Sequence, residues 1–141
     1  MNTVRAFEDA EYVFAHTEYN FFGPKIGFDI FRFENGKIVE HWDNLQETPD
    51  TPNPSGHTMT DGDTKISDLD KTRENKLLVT NFVQDILVDG KIGKLSHYFR
   101  GDNYIQHNPA IADNLSGLGN TLAELSKIGI YLKYSKIHRV L

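Results

Sequence analysis

Period-two alternation governs the start of this chain. From Val4 to Phe22 the run VRAFEDAEYVFAHTEYNFF sets Tyr12, Phe14, Tyr19 and Phe21 where aromatic residues suit a strand, with Glu8-Asp9 read as a turn. Gly23-Pro24 is a break. Ile26 to Phe33 and Lys37 to Asp43 then alternate around Glu34-Asn35-Gly36, which predicts a hairpin.

Helical spacing takes over further on. Asp70 to Leu87 carries Leu78, Phe82, Val83, Ile86 and Leu87 on one face, with Thr72 or Asp70 as cap and Glu74 and Asn75 in the first turn. Lys91 to Phe99 predicts a short second helix between Asp89-Gly90 and Gly101-Asp102. Asn103 to His107 reads as a short strand stopped at Asn108-Pro109. Leu118 to Ile128 predicts a third helix, entered through Ser116-Gly117 and ended by Gly129, and Ile130 to Leu141 alternates as a last strand. Strands and helices are thus segregated, the mark of an α+β fold with a mostly antiparallel sheet.

Between the two parts, Gln46 to Asp63 reads QETPDTPNPSGHTMTDGD, holding three of the five prolines. By composition this is loop or linker, and a structureless loop of that length inside a compact domain needs a reason. Composition elsewhere narrows the partners. With 141 residues, 38% hydrophobic and 25% charged, the chain is long enough and apolar enough for one soluble domain with a core. The net charge of -5 and the lack of a basic block argue against nucleic acid and anionic membrane surfaces. There is no cysteine, so disulfides and thiolate metal sites are excluded. No apolar run spans a bilayer and the first residues lack a signal-peptide core, so a cytoplasmic location is the expectation.

Two motifs are long enough to carry a resemblance. "YIQHNP…AD…LSGLG" (Tyr104 to Gly119) and "FDIFRFENGKIVEHWDN" (Phe28 to Asn44) resemble SnoaL-like polyketide cyclases of the nuclear-transport-factor-2-like superfamily. The resemblance implies a curved, mostly antiparallel sheet with three helices on its concave face, a cone or cystatin-like α+β barrel. The order of the halves is reversed. In that family the helices and the YIQHNP strand come first, and the FDIFR…GKIVEHWD hairpin closes the domain. Residues 1–45 then hold the closing strands, 46–68 the linker and 69–141 the opening helices and strands of one cone. A circular permutant and a domain-swapped homodimer both fit, since roughly 20 extended residues reach ~65 Å.

Candidate chemistry centres on the hairpin. A two-residue Asn35-Gly36 turn pairs Asp29 with Trp42 and turns Asp29 away from His41 and Asp43. A three-residue loop with Gly36 left-handed pairs Asp29 with His41, and gathers Asp29, Phe31, Val39, His41 and Asp43 on one face. The second is the expectation, with Trp42 on an apolar outer face that suits a dimer interface. The resemblance makes Asp43 the acid/base group. A carboxylate in a half-apolar pocket holds and releases a proton near neutral pH, and taking a proton alpha to a carbonyl opens an aldol condensation. His41, His107, Tyr104 and Gln106 are candidate donors to the enolate, and Asp29 can fix the His41 tautomer. Without the resemblance, Asp43 is as readily a turn residue and His107 a structural one. Tyr104, Gln106, Asn108, Phe31 and Phe21 complete the expected pocket around a small-molecule ligand.

No cofactor is expected. A metal set of His41, Asp43 and His107 is the sharper alternative, but no compact metal spacing such as HExxH is present. Asp61-Gly62-Asp63 lacks the full calcium-loop pattern, and His16, His57, His97 and His138 are scattered with no specific role. Asp113-Asn114 reads as a turn first and a pocket rim second. Two functions follow: a cofactor-free cyclase or isomerase acting on a carbonyl-containing, polyketide-like or cyclic substrate, and a non-catalytic module binding a small ligand or a protein.

Overall fold

A computed structural model describes residues 1–141. Four strands form an antiparallel meander in the order β1-β2-β3-β4: Asn2–Asp9 (β1), Tyr12–Asn20 (β2), Pro24–Glu34 (β3) and Lys37–Glu47 (β4). The Glu8-Asp9 turn expected from the sequence falls one residue later, at Ala10, whose φ is 52°, and β1 is a strand of its own. Cross-strand aromatic pairs tie the sheet together: Phe7 stacks on Phe14 at 4.9 Å and His16 on Phe28 at 4.5 Å.

The helical part begins with a 3-10 turn at Leu69–Lys71, followed by Thr72–Phe82 (α1). Neither Thr72 nor Asp70 caps it, because no side-chain cap bond forms there. From Val83 to Val88 the coil widens into a π-helical turn around buried Ile86. Ile92–Tyr98 is 3-10, and Asn114–Lys127 (α2) starts earlier than the apolar spacing indicates, with Asn114 at φ 70° in the left-handed turn.

Two predicted strands do not form. At 103–107 the backbone groups that a neighbouring strand would satisfy are taken by other partners. Gln106 N–H donates to Asp113 Oδ1 at 3.0 Å, Asn53 Nδ2 donates to Gln106 O at 2.7 Å, and Asn114 N–H donates to Tyr104 O at 2.6 Å. Residues 130–141 alternate but pair with no strand; Tyr134 N–H donates to Leu87 O instead. The sheet therefore stays at four strands and does not close.

The linker is ordered. Asn53, buried, donates to Gln106 O and Ile111 O, and its Oδ1 accepts from Ser55 N–H and His57 N–H. This side chain supplies what regular structure would otherwise supply, which is the reason a loop of this length holds one shape. Arg5 fastens the loop to β1 through Thr60 O, Asp61 O and Asp63 O.

The core is small. Only Ile26, Met59, Ile86, Leu95 and Ile111 are buried hydrophobic residues. The chain exposes 9892 Å², whereas a compact monomer of this length exposes about 7,400 Å².

Candidate functional site

The hairpin between β3 and β4 uses neither expected register. Glu34 pairs with Lys37 and Phe33 with Ile38, so the turn is the two-residue one, with Asn35 at φ 50° and Gly36 at φ 73°. The three-residue loop is corrected. A bulge then shifts the ladder, Arg32 pairs with Glu40, and Asp29 pairs directly with Asp43. The extra residue at Val39 reverses the facing that the tight turn alone imposes. Asp29, Phe31, His41 and Asp43 consequently share a face.

On that face Asp29 is 2% exposed. Its Oδ2 accepts from the Tyr19 hydroxyl at 2.9 Å, and its Oδ1 lies 3.2 Å from His41 Nε2. A carboxylate accepts, so Nε2 carries the proton and Nδ1 keeps its lone pair. The ring is stacked on Phe31, with centroids 4.4 Å apart, and its side chain is 43% exposed. Burial, then the hydrogen bond to Asp29 and its charge, raise the Tyr19 pKa above the ordinary phenol value. Gly27 makes this possible: a Cβ there would stand 2.5 Å from Tyr19 Cε2, so only glycine lets the ring lie across the strand. Asp43 is exposed beside the pair.

The two faces of the sheet differ in what covers them. The side-chain hydrogen bonds of Thr3, Thr17, Tyr19, Asp29 and His41 stay within the sheet. The opposite face holds Arg5, Phe7, Asp9, Tyr12, His16, Glu18 and Trp42, and side chains of other segments reach it. Thr60 Oγ1 donates to Glu18, Lys76 pairs with Asp9, and the Arg139 guanidinium lies 3.8 Å over the Tyr12 ring and 5.3 Å from that of Trp42. The face expected to be free around Trp42 is thus used by the chain's own tail.

This two-sidedness separates His107 from the hairpin residues. Its Nδ1 is 2.9 Å from Thr58 O and 2.9 Å from Asp61 Oδ1. His57 joins them, with Nδ1 3.0 Å from Asp61 Oδ2 and Nε2 3.1 Å from Asp113 Oδ2. The Asp61 hydrogen bond, and then the Asp113 charge, raise the His57 pKa against an opposing burial effect. The expected metal set of His41, Asp43 and His107 does not assemble; His57, Asp61 and His107 do. Sequence reasoning gave His57 and Asp61 no role, because both sit in a segment read as a linker and reach His107 only through the fold. Their four-residue spacing is the one local signal.

The expected pocket residues are divided. Tyr104 packs on Phe99 at 4.9 Å. Gln106 Oε1 accepts from Asn108 N–H, and Asn108 Oδ1 accepts from Ala110 N–H, so both serve the turn at Pro109. Phe21, 43% exposed, meets Tyr19 edge-on at 5.8 Å. Phe31 alone of the five touches His41.

His16 is buried between these regions. Arg5 Nη1 donates to its Nδ1 at 2.8 Å, so the ring proton is on Nε2, which has no partner. Burial and the Arg5 charge lower its pKa.

No family model, curated protein or solved structure matches the chain. No helix is long and apolar enough to cross a membrane.

Proposed function

We propose that this protein is a cofactor-free acid/base enzyme acting on a carbonyl-containing small molecule, of the aldol-cyclase or isomerase type that SnoaL-like proteins represent. The observation that carries the reading is the Tyr19–Asp29–His41 chain: a buried, doubly hydrogen-bonded carboxylate that orients a half-exposed imidazole. His41 Nδ1 takes the proton alpha to the substrate carbonyl, and the electron pair passes into the enolate. The enolate carbon attacks a second carbonyl, a carbon–carbon bond forms, and the resulting alkoxide recovers the proton from His41. Asp29 is the positioning residue and stabilises the transient imidazolium. In this reading His41 takes the acid/base role that the resemblance gives Asp43, which lies exposed beside the pair.

The site lies on the face that no other segment of its own chain hydrogen-bonds. The exposed surface exceeds that of a compact monomer by roughly 2,500 Å², on the scale that an obligate partner covers. A second copy laid on this face and along β4, whose eleven residues are all exposed, encloses the His41 ring. The resemblance also favours a homodimer, one in which each cone is completed by a swapped half.

The test is hydrogen–deuterium exchange at the alpha carbon of cyclic and polyketide-like 1,3-dicarbonyl compounds, followed by NMR in D2O. Exchange above the buffer rate, lost in His41→Gln, is the expected result. Exchange at the buffer rate for every compound, or exchange unchanged in His41→Gln, contradicts the reading.

A second reading rests on a different place. A mostly apolar groove of about 560 Å³ runs between Ile86–Ile92, α2 and Ile130–Lys133. Its size suits a small apolar ligand, the binding-module alternative.

A further inference from the structure

We infer that His57, Asp61 and His107 form a binding site for one divalent first-row transition cation, which clamps the 53–63 loop to the 106–113 segment. One ligand atom from each of the three residues lies within 4.8 Å of the others. Metal–ligand bonds of 2.0–2.2 Å bring such atoms to roughly 3.3–3.6 Å in a tetrahedral shell and about 3 Å for neighbouring ligands in an octahedral one, so closure draws the ligand atoms together by up to about 2 Å. Two imidazoles and one carboxylate, with no thiolate, are the donor set of Zn²⁺, Co²⁺, Ni²⁺, Mn²⁺ and Fe²⁺.

Two features go beyond proximity. First, the outer partners are in place. His57 Nε2 is 3.1 Å from Asp113 Oδ2, and His107 Nδ1 donates to Thr58 O at 2.9 Å. A carbonyl oxygen only accepts, so the His107 lone pair is on Nε2, free for a ligand. Each histidine thus offers one nitrogen while the other is anchored, as ligating imidazoles require. Second, Asp61 Oδ1 is buried with no hydrogen-bond donor, because the nearby His107 Nδ1 proton is aimed at Thr58 O. A cation answers that buried oxygen. When the cation binds, the His57 Nδ1 proton that faces Asp61 leaves to solvent, and the hydrogen bond to Asp113 stays.

The site lies apart from the Tyr19–Asp29–His41 chain and is independent of its proposed chemistry. The test is titration of the metal-free full chain with Co²⁺ and with Zn²⁺, read by the visible Co²⁺ spectrum and by calorimetry. One equivalent of Co²⁺ is expected to bind below 100 µM, with a ligand-field spectrum of nitrogen and oxygen donors displaced by Zn²⁺. His107→Gln and Asp61→Asn weaken binding at least tenfold, Asp113→Asn does so about tenfold through the outer partner, and His138→Gln leaves it unchanged. The wild-type titration stands even where a variant fails to fold. No binding below 1 mM by the wild-type chain overturns the site. So does equal binding by folded His107→Gln, since the cation is then held elsewhere.

Discussion

Asp29 and Asp43 are direct partners across β3 and β4, yet their surroundings are opposite. Asp29 is buried under Tyr19 and His41, while Asp43 is exposed. One bulge at Val39 sets both, because it decides which face β4 presents.

Removing the buried charge while keeping its shape tests the pair. Asp29→Asn is expected to lose the charge-assisted bonds to Tyr19 and His41, at a cost of about 1–3 kcal/mol in urea unfolding. Carbonyl alpha-exchange is expected to fall about 10²-fold or more. Tyr19→Phe, which leaves the bond to His41, should cost less in both.

Gly27 is expected to tolerate no side chain. Gly27→Ala sets a Cβ 2.5 Å from Tyr19 Cε2, so the ring must tilt off the strand and its hydroxyl leaves Asp29. Overpacking of this kind costs about 1–3 kcal/mol. Thermal unfolding of Gly27→Ala and of Gly27→Ala with Tyr19→Phe separates the cause, since the double variant should regain part of the loss.

His16 gives stability a pH dependence of known sign. Its folded pKa is lowered, first by burial and then by Arg5. Below about pH 6.5 the unfolded chain takes up a proton that the folded one resists. The stability it contributes is therefore present above pH 6.5 and lost as pH falls toward the folded value. His16→Gln should flatten the fall in wild-type unfolding free energy over that window.

Asp85 acts in the acid range. Hydrogen bonds from Lys94, Tyr98 and Lys91 hold its carboxyl well below the usual carboxylate range. Its contribution is present above the unfolded value of about 3.9 and is lost as pH falls below it. Urea unfolding free energies of wild type and Asp85→Asn should differ less at pH 2 than at pH 5.

The uncovered face predicts association. Sedimentation should give a dimer at micromolar concentration, and Leu45→Glu, on the same face as His41, should shift it toward monomer. A monomer at all concentrations would leave the His41 ring open to solvent and count against the enzyme reading.

Local signals in the sequence were reliable where the partner was the next strand or turn. Alternation located β2, β3 and β4, and apolar spacing located α1 and α2. Those signals failed where distant side chains decided the outcome. The YIQHN segment has strand periodicity, but Asn53 and Asp113 take its backbone groups. Residues 130–141 alternate without a partner strand. The facing of Asp29 turned on a bulge that leaves no mark in composition. His57 and Asp61 were hidden because proline-rich composition resembles a linker, while a single buried asparagine folds it.

The most direct measurement is the nitrogen NMR spectrum of the neutral His41 ring, in wild type and in Asp29→Asn. One tautomer is expected in wild type, with the proton on Nε2 and the lone pair on Nδ1, and a tautomer mixture in Asp29→Asn. A tautomer mixture at wild-type His41 would contradict the carboxylate–imidazole pair on which the proposed chemistry rests.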